Sequence, residues 1–227
     1  MKPAPMTGKL YVVSTPIGNY RDITLRALDV LEKVDAVICE EYRTGSTLLK
    51  KIGISQKDLI RLNEHNEEDE SPELAKEILM GRTYALISDC GTPGFADPGT
   101  RLIRICSEYG VPVIPVPGPS SLLTAISLSP LPIEEFYYAG FLPRKKDARR
   151  KQLERLKILN SPLIIMESPY RLERILEEIS RIFGKGQLIT LAYNLTMKGE
   201  RVYHDAAAQV LNEVKGKKGE FVLIIHR

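Results

Sequence analysis

Short runs of apolar residues alternate along this chain with longer stretches in which apolar side chains recur every three to four residues. Each run has the length of a buried β-strand, and the periodic stretches predict amphipathic helices between the strands. None of the runs approaches the ~20 residues that a membrane-spanning helix needs. The predicted strands are Leu10–Val13, Asp35–Cys39, Leu59–Leu62, Tyr84–Ile87, Val113–Val116, Phe136–Gly140, Leu163–Met166, Leu188–Ala192, Arg201–Tyr203 and Phe221–Ile225.

The alternation of strands with helices is typical of α/β architecture. The predicted strands are divided evenly between two halves of the chain, which favours two α/β domains, 1–117 and 118–227, over one large sheet. A strongly basic helix is predicted over residues 146–159. Another helix is expected to begin at Ser71 and Pro72, with the serine as cap and the proline as first helical residue.

The stretch from Ser88 to Gly99 follows the fourth predicted strand and is rich in glycine and proline. It is too long for an ordinary strand-to-helix turn and too irregular for a helix or strand. At the carboxyl end of a strand, such a stretch predicts a ligand-binding loop. Its glycine spacing fits neither a dinucleotide fingerprint nor a phosphate loop, so a neutral or cationic ligand is expected. Asp89 would bind a ribose hydroxyl or an ammonium group, or would serve as a cap, and Asp97 is expected to be a cap.

Polar residues follow other predicted strands as well. In the loop after the fifth strand, Ser120 or Ser121 is expected to cap the next helix, and a capping serine can also line a pocket. Glu40, Glu41 and His65 follow the second and third strands. Such positions favour a cleft, with ordinary surface placement as the alternative.

Charge is distributed unevenly along the chain, although the net charge is only +3. The segment Arg144–Lys157 contains eight lysine and arginine residues and two acidic residues. It is expected to bind phosphate groups, as in nucleic-acid recognition, or to form the solvated face of an amphipathic helix.

The number and spacing of the cysteines and histidines indicate whether a metal is bound and in which cellular compartment the protein works. The three cysteines, at positions 39, 90 and 106, and the three histidines show no metal-binding spacing, so no metal is expected. An odd number of cysteines and a beginning without an apolar signal core predict a reduced, cytoplasmic protein with no membrane association.

These motifs together resemble the tetrapyrrole methylase superfamily of S-adenosylmethionine-dependent methyltransferases. Within it, the chain is most similar to the branch that methylates a ribose 2′-hydroxyl group of small-subunit ribosomal RNA. The matching stretches follow the family's order along nearly the whole chain: Leu10–Asn19, Asp22–Leu28, Glu64–Asn66, Ser88–Gly94, Asp97–Gly99, Pro115–Ser120, Gly140–Lys145, Glu167–Pro169 and Gly219–Phe221.

The chain departs from the pattern of this branch in three places. Tyr170 stands where the branch normally has a histidine. The stretch Tyr193–Met197 reads Tyr-Asn-Leu-Thr-Met in place of Arg-Glu-Leu-Thr-Lys. Residues Glu41–Arg43 stand in place of Glu-Asp-Thr-Arg. The cofactor loops therefore match the branch better than the substrate side does.

The resemblance implies two α/β domains with the cofactor held in the cleft between them, usually within a homodimer. The cofactor would be S-adenosylmethionine, with S-adenosylhomocysteine as the product. The residues that the resemblance assigns to cofactor binding are Pro16, Asp89, Cys90, Gly91, Thr92, Pro93, Gly94, Phe95, Ser120, Ser121 and Met166.

The predicted reaction is an in-line transfer of a methyl group to RNA, either free or in the small ribosomal subunit. A ribose hydroxyl group is a weak nucleophile, so a general base is expected, and the candidates are Glu40, Glu41, His65 and Glu167. Arg144, Lys145 and Arg171 are expected to bind RNA phosphates. Two alternatives stay open: a corrin or porphyrin methyltransferase with the same cofactor loops, and a non-catalytic RNA- or ribosome-binding protein.

Overall fold

The structure is a computed structural model that describes residues 7–94 and 97–227. It divides into two compact units between Ser120 and Ser121. Each unit contains a five-stranded sheet with helices packed against it, which confirms the predicted α/β class.

The first unit is built on a parallel sheet. Its strands are β1 (Leu10–Val13), β2 (Ala36–Cys39), β3 (Asp58–Arg61), β4 (Tyr84–Ile87) and β5 (Val113–Val116). They lie in the order β3-β2-β4-β1-β5. Each is within one residue of the run predicted for it, because a strand covered on both faces needs apolar side chains at successive positions. The helices of this unit are α1 (Leu25–Lys33), α2 (Tyr42–Lys51), α3 (Glu67–Leu79) and α4 (Thr100–Glu108).

The two faces of this sheet carry separate hydrophobic cores. Leu10, Ile38 and Leu86 pack with residues of α3 and α4, whereas Val13 and Val37 pack with residues of α1 and α2. Helices on both faces are what right-handed crossovers between parallel strands produce. Because the strands are all parallel, the loops that follow them gather at one edge of the sheet.

Helix α3 begins earlier than predicted. Its first residue is Glu67, and Pro72 lies in its second turn, so the expected start at Ser71 and Pro72 was wrong. Glu67 and the three acidic residues after it fill the first turn, where the helix dipole favours negative charge. A proline this close to the start of a helix removes a single backbone hydrogen bond, which the favourable first turn helps to offset.

The second unit is built on a mixed sheet. Its strands are β6 (Tyr137–Gly140), β7 (Leu163–Glu167), β8 (Leu188–Tyr193), β9 (Arg201–Ala206) and β10 (Phe221–Ile225). In the order β6-β7-β10-β8-β9, the first pair is parallel and the others are antiparallel. Its helices are α5 (Ser121–Ser127), α6 (Lys146–Lys157), α7 (Leu172–Ile182) and α8 (Ala207–Val214).

Helices α6, α7 and α8 cover one face of this sheet. Leu153, Ile175 and Val210, one from each helix, share a core with Ile165 and Leu223 of the strands. Helix α5 contacts β10. None of the helices within residues 7–94 and 97–227 is long and apolar enough to cross a bilayer.

Three residues lie together at one edge of the mixed sheet. Phe221, the first residue of β10, is paired with Glu167 at the end of β7 and with Tyr193 at the end of β8. Strand β9 continues past the predicted Tyr203 to Ala206. As an edge strand it carries polar residues at its end, so the apolar run alone underestimated its length.

Candidate functional site

Three loops at the carboxyl edge of the first sheet are joined by hydrogen bonds. We call Ser14–Asn19, Ser88–Gly94 and Pro117–Ser120, which follow β1, β4 and β5, the three-loop cluster. The carbonyl oxygen of Gly91 lies at its centre, 2.8 Å from the backbone nitrogen of Thr15 and 3.1 Å from Ser88 Oγ. The Thr15 hydroxyl group also lies 3.1 Å from the carbonyl oxygen of Ser88.

Thr92 connects the same loops a second time. Its Oγ1 lies 2.9 Å from Ser14 Oγ, at the end of β1, and donates to the carbonyl oxygen of Pro119 at 3.3 Å, after β5. Ser14 and Thr15 are almost completely buried. Because these buried hydroxyl groups have hydrogen-bond partners, they fix the positions of the loops that they join, and the cluster forms a defined wall.

The glycines of this wall are required by its backbone. Gly91 has φ +87° and Gly94 has φ +77°, values that other residues adopt at a cost of roughly 1–2 kcal/mol. Gly91 is buried, whereas Thr92 and Gly94 are exposed. The exposed residues Thr92 and Gly94 therefore leave part of the loop open to solvent, and ligand binding by this loop stays a prediction.

Asp89 caps helix α2 from a neighbouring loop. Its carboxylate accepts hydrogen bonds from the Thr44 hydroxyl group and the backbone of Glu41. Burial raises the pKa of Asp89, and these hydrogen bonds oppose the rise. Its Oδ1 atom is buried and has no hydrogen-bond partner among the described residues. The capping interpretation of Asp89 is thus confirmed for one carboxylate oxygen, and ligand binding by the other stays a prediction.

Asp97 does not cap helix α4, contrary to the prediction. The N-cap residue of α4 is Gly99, whose backbone is in the left-handed conformation. The backbone nitrogens of Gly99 and Arg101 donate to Glu67 Oε1 at 2.8 and 2.9 Å. The Asp97 carboxylate is instead hydrogen-bonded by Ser88, and burial raises its pKa. The cap of α4 comes from the first turn of α3, which local sequence could not indicate.

Several carboxylates gather beside Asp89. Burial raises the pKa of Glu40, and the negative charges of Asp89, Asp97, Glu41 and Glu64 raise it further. Glu40 is half-buried, at the end of β2. A carboxylate with a raised pKa at a strand end is suited to hold a cation or to accept a proton.

The other two candidate bases of the first unit are more exposed. Glu41 precedes helix α2 without capping it through its own side chain. The His65 side chain is 82% exposed, and its Nε2 lies 3.6 Å from Glu64 Oε1. Of these three candidate bases, Glu40 is therefore the most buried, and it lies among other carboxylates.

The remaining residues predicted to bind cofactor have varied placements. Pro16 and Pro93 are buried, and Cys90 is exposed. Phe95 lies outside the described residues. Ser120 is half-buried, and Ser121 is the first residue of α5. In the second unit, the Met166 sulfur accepts a hydrogen bond from the Tyr138 hydroxyl group at 3.4 Å.

Glu167, the candidate base of the second unit, is the counterion of Arg171. Its Oε2 lies 2.9 Å from Arg171 Nη1, and its Oε1 accepts from the backbone nitrogen of Ser168 at 2.9 Å. The Glu167 side chain is 1% exposed. Oε2 has this ion-pair contact but no hydrogen bond among the described residues. The charge of Arg171 beside it suits a structural role better than proton transfer.

Two arginines hold the loop that leads into helix α6. Arg171 donates to the carbonyl oxygens of Leu142 and Pro143 at 3.0 Å each. Arg149 donates to the carbonyl oxygens of Pro143 and Arg144 at 3.1 and 2.9 Å. We call this arrangement the arginine clamp. Arg149 is completely buried, so it cannot belong to the phosphate-binding surface predicted for the basic segment.

The arginine clamp fixes the backbone beneath two exposed cations. Arg144 and Lys145 both have exposed side chains at the start of α6. A cation on a rigid backbone loses less conformational entropy when it binds a phosphate than one on a free loop. Sequence patterns could not separate Arg149 from its basic neighbours, because only its burial distinguishes it.

The altered stretch after β8 supports a neighbouring loop. The Tyr193 hydroxyl group donates to the carbonyl oxygen of Lys218 at 2.8 Å, and the Asn194 backbone nitrogen donates to that of Glu220 at 2.8 Å. Asn194 and Thr196 have φ values of +49° and +62°. The residues of this stretch thus form an ordered turn next to the loop that carries Lys217 and Lys218.

The sequence of this chain matches a family of methylases. The family model described as Tetrapyrrole (Corrin/Porphyrin) Methylases matches residues 9–211. The chain belongs to this family, and it is a methyltransferase.

Two relatives and one solved structure illustrate the match. The chain is 41% identical to the ribosomal RNA small subunit methyltransferase I of Escherichia coli O157:H7, over 96% of this chain and 77% of that protein. It is 37% identical to the protein of that name from Leptospira biflexa serovar Patoc, over 96% and 91%. Uroporphyrin-III C-methyltransferase from Thermus thermophilus, crystallised with S-adenyl homocysteine, has a TM-score of 0.67 at 18% identity, over 97% and 98%. That similarity establishes the fold.

Proposed function

We propose that this methyltransferase transfers the methyl group of S-adenosylmethionine to a ribose 2′-hydroxyl group of small-subunit ribosomal RNA. The observation that carries the proposal is the three-loop cluster, where Gly91 and Thr92 join three strand ends and Asp89 Oδ1 has no hydrogen-bond partner within residues 7–94 and 97–227. Identities of 41% and 37% with relatives named for the small ribosomal subunit support the choice of RNA as acceptor.

The residues of the three-loop cluster suit this donor in charge and shape. S-adenosylmethionine has positively charged sulfonium and ammonium groups, and Asp89 and Glu40 supply carboxylates beside the loop. Asp89 Oδ1 would accept from a ribose hydroxyl or an ammonium group. The main chain from Gly91 to Gly94 would lie against the adenosine portion, because glycines allow close approach. When bound, the donor supplies a methyl group on a positively charged sulfur atom.

Glu40 is the general base in this proposal. Methyl transfer needs the hydroxyl oxygen aligned with the methyl carbon, and correct positioning can account for most of the rate enhancement. Removal of the hydroxyl proton adds to this effect if the base has a pKa near the working pH. Burial and neighbouring negative charges raise the pKa of Glu40 in that direction.

In the second unit, Arg144 and Lys145 bind phosphates of the RNA, and the arginine clamp positions them. Arg171, predicted as a direct phosphate ligand, is assigned here to positioning because Glu167 and two carbonyl oxygens occupy its guanidinium group. We further propose that the protein acts in the cytoplasm as a homodimer, which light scattering of the purified chain tests.

A methylation assay with tritiated donor tests the proposal. The acceptors are small ribosomal subunits from cells that lack this protein, the naked RNA of those subunits, and a tetrapyrrole precursor. Digestion of the labelled RNA to nucleosides then locates the methyl group on the ribose or on a base.

Each outcome of these experiments favours one of the three candidate functions. Label on a ribose of the ribosomal RNA supports the proposal. Label on the tetrapyrrole alone favours the corrin or porphyrin methyltransferase. If calorimetry detects no binding of S-adenosylmethionine at micromolar concentrations, the non-catalytic RNA-binding alternative is favoured.

A further inference from the structure

A groove of about 450 Å³ opens on the second unit, at the start of helix α7. One wall carries Tyr170, the residue that departs from the branch pattern, followed by Arg174. The other wall is the loop before β10, with Lys217 and Lys218. This volume lies within the range of small-ligand sites, so the groove has room for about one nucleotide rather than a duplex.

The groove keeps a net positive charge when the ion pair of Arg171 with Glu167 is left out of the count. Arg171 is engaged with Glu167, and the Glu173 carboxylate accepts a hydrogen bond from the backbone nitrogen of Gly216. The Glu173 carboxylate keeps its charge in that hydrogen bond, so the groove is left with Arg174, Lys217 and Lys218 against Glu173 and Glu177. Three cations against two carboxylates leave a net positive charge, which favours an anionic ligand.

Tyr170 adds an aromatic surface to these cations. It is 82% exposed, so its ring contributes little to the core. The Lys218 ammonium group lies 5.6 Å from the centre of the ring. A single exposed aromatic ring is ordinary. A ring beside one lysine, in a groove that carries two further cations, however, is the combination with which proteins bind unpaired nucleotides, through stacking and phosphate contacts.

The lysine-bearing wall is held in place by three contacts. The Tyr193 hydroxyl group binds the carbonyl oxygen of Lys218, and Glu173 binds the nitrogen of Gly216. Lys217 Nζ lies 3.1 Å from the Tyr203 hydroxyl oxygen. The groove is therefore formed before a ligand arrives, and its lysines are presented by a fixed backbone.

We propose that this groove binds an unpaired nucleotide of the RNA substrate, with its base stacked on Tyr170 and its phosphates against Lys217, Lys218 and Arg174. The inference rests on the proposed function, and it names a contact of the enzyme with RNA in addition to Arg144 and Lys145. It also gives a purpose to two departures from the branch pattern, since Tyr170 supplies the stacking surface and Tyr193 supports the lysine loop.

Binding of a fluorescent single-stranded RNA of twelve nucleotides to the full chain tests this inference by anisotropy. Tyr170→Ala should weaken binding about 5- to 30-fold, and Tyr170→Phe should restore it, because stacking needs the ring and not the hydroxyl group. The double variant Lys217→Gln, Lys218→Gln should weaken binding and lower the salt dependence by about 0.7 per lost contact. Tyr109→Ala and Lys185→Gln, which change exposed residues outside the groove, are the matched controls.

Two results would overturn the groove as an RNA site. One is unchanged RNA affinity in the Tyr170→Ala variant. The other is an equal loss for blunt duplex RNA or for polyglutamate, which would indicate general attraction of polyanions or of an acidic protein. Donor affinity, measured by calorimetry on each variant, should stay at the wild-type value. If the unaltered chain methylates ribosomal RNA while Tyr170→Ala binds it normally, the groove proposal fails and the proposed function stands.

Discussion

Arg149 and Glu178 face each other as a buried bidentate pair, with Nε 2.6 Å from Oε2 and Nη2 2.8 Å from Oε1. Breaking a buried ion pair by removing one charge typically costs about 3–5 kcal/mol, because the remaining charge is left unpaired. We therefore expect Glu178→Gln to lower the free energy of unfolding by an amount in that range. Glu154→Gln, at an exposed position on α6, should change it by less than about 0.5 kcal/mol.

Urea denaturation of both variants measures the difference. A Glu178→Gln variant as stable as the Glu154→Gln control would show that the pair contributes nothing to stability.

The same ion pair predicts that the protein loses stability in acid. Burial raises the pKa of Glu178, but the hydrogen bond and the charge of Arg149 outweigh this effect, so the net shift is downward. The stabilisation is present above the pKa of an unfolded glutamate, about 4.3, and is lost as pH falls through the lower folded pKa.

Gly91→Ala separates backbone strain from donor binding when it is compared with Gly53→Ala. Both glycines have φ near +85°, and a Cβ added at Gly53 meets nothing within 4 Å. Both variants should lose roughly 1–2 kcal/mol of stability, the usual cost of a left-handed alanine. Calorimetry should then show weaker binding of S-adenosylmethionine to Gly91→Ala alone. Equal donor affinities in the two variants would argue against Gly91 as part of the donor site.

Glu40→Gln should reduce turnover and alter its pH dependence. A general base acts only when deprotonated, so the turnover of the unaltered enzyme should fall as pH decreases through the raised pKa of Glu40. The variant should be about 10²- to 10⁴-fold slower and should lose that acid limb. Single-turnover assays on small ribosomal subunits between pH 5 and 9 provide the measurement. An unchanged profile in the variant would assign the proton transfer elsewhere.

Glu167→Gln provides the contrasting case. Because Glu167 pairs with Arg171 in the arginine clamp, its loss should loosen the loop that carries Arg144 and Lys145. We expect a higher KM for ribosomal subunits with a smaller change in the single-turnover rate. A loss confined to the rate, with normal RNA affinity, would restore Glu167 as a candidate base.

Alkylation of Cys90 should report occupancy of the donor site. Cys90 is exposed in the three-loop cluster, whereas Cys39 and Cys106 are buried, and burial raises the pKa of both buried thiols to about 11. Iodoacetamide should therefore label Cys90 first, and S-adenosylhomocysteine should protect it. Mass spectrometry of the digested protein identifies the labelled residue. Labelling of Cys90 at the same rate with saturating ligand would place the donor away from this loop.

Local sequence predicts the strands of this protein well and the start of helix α3 poorly. Strands such as Leu10–Val13 were found because burial on both faces demands a continuous apolar run. The start of α3 at Glu67 was missed because Ser71 and Pro72 carry a local start signal of their own, although the acidic residues that begin at Glu67 favour the earlier start.

The candidate site was likewise predicted only in part from local sequence. Glycine and proline content indicated the loop at Ser88–Gly99, because those residues have distinct backbone preferences. The contact between Thr15 and Gly91 could not be predicted, since it joins residues far apart in the chain. The burial of Arg149 among exposed basic neighbours likewise follows from packing against α7, and no local pattern indicates it.

The distance in sequence between the joined parts of the three-loop cluster has a kinetic consequence. Ser14 and Thr92 are 78 residues apart, and Thr15 and Gly91 are separated by 76. Closing such long loops costs chain entropy, so we expect these contacts to form late in folding. A ligand held by them stabilises the native state more than the folding transition state. It should therefore prolong the lifetime of the folded first unit and leave its folding rate almost unchanged.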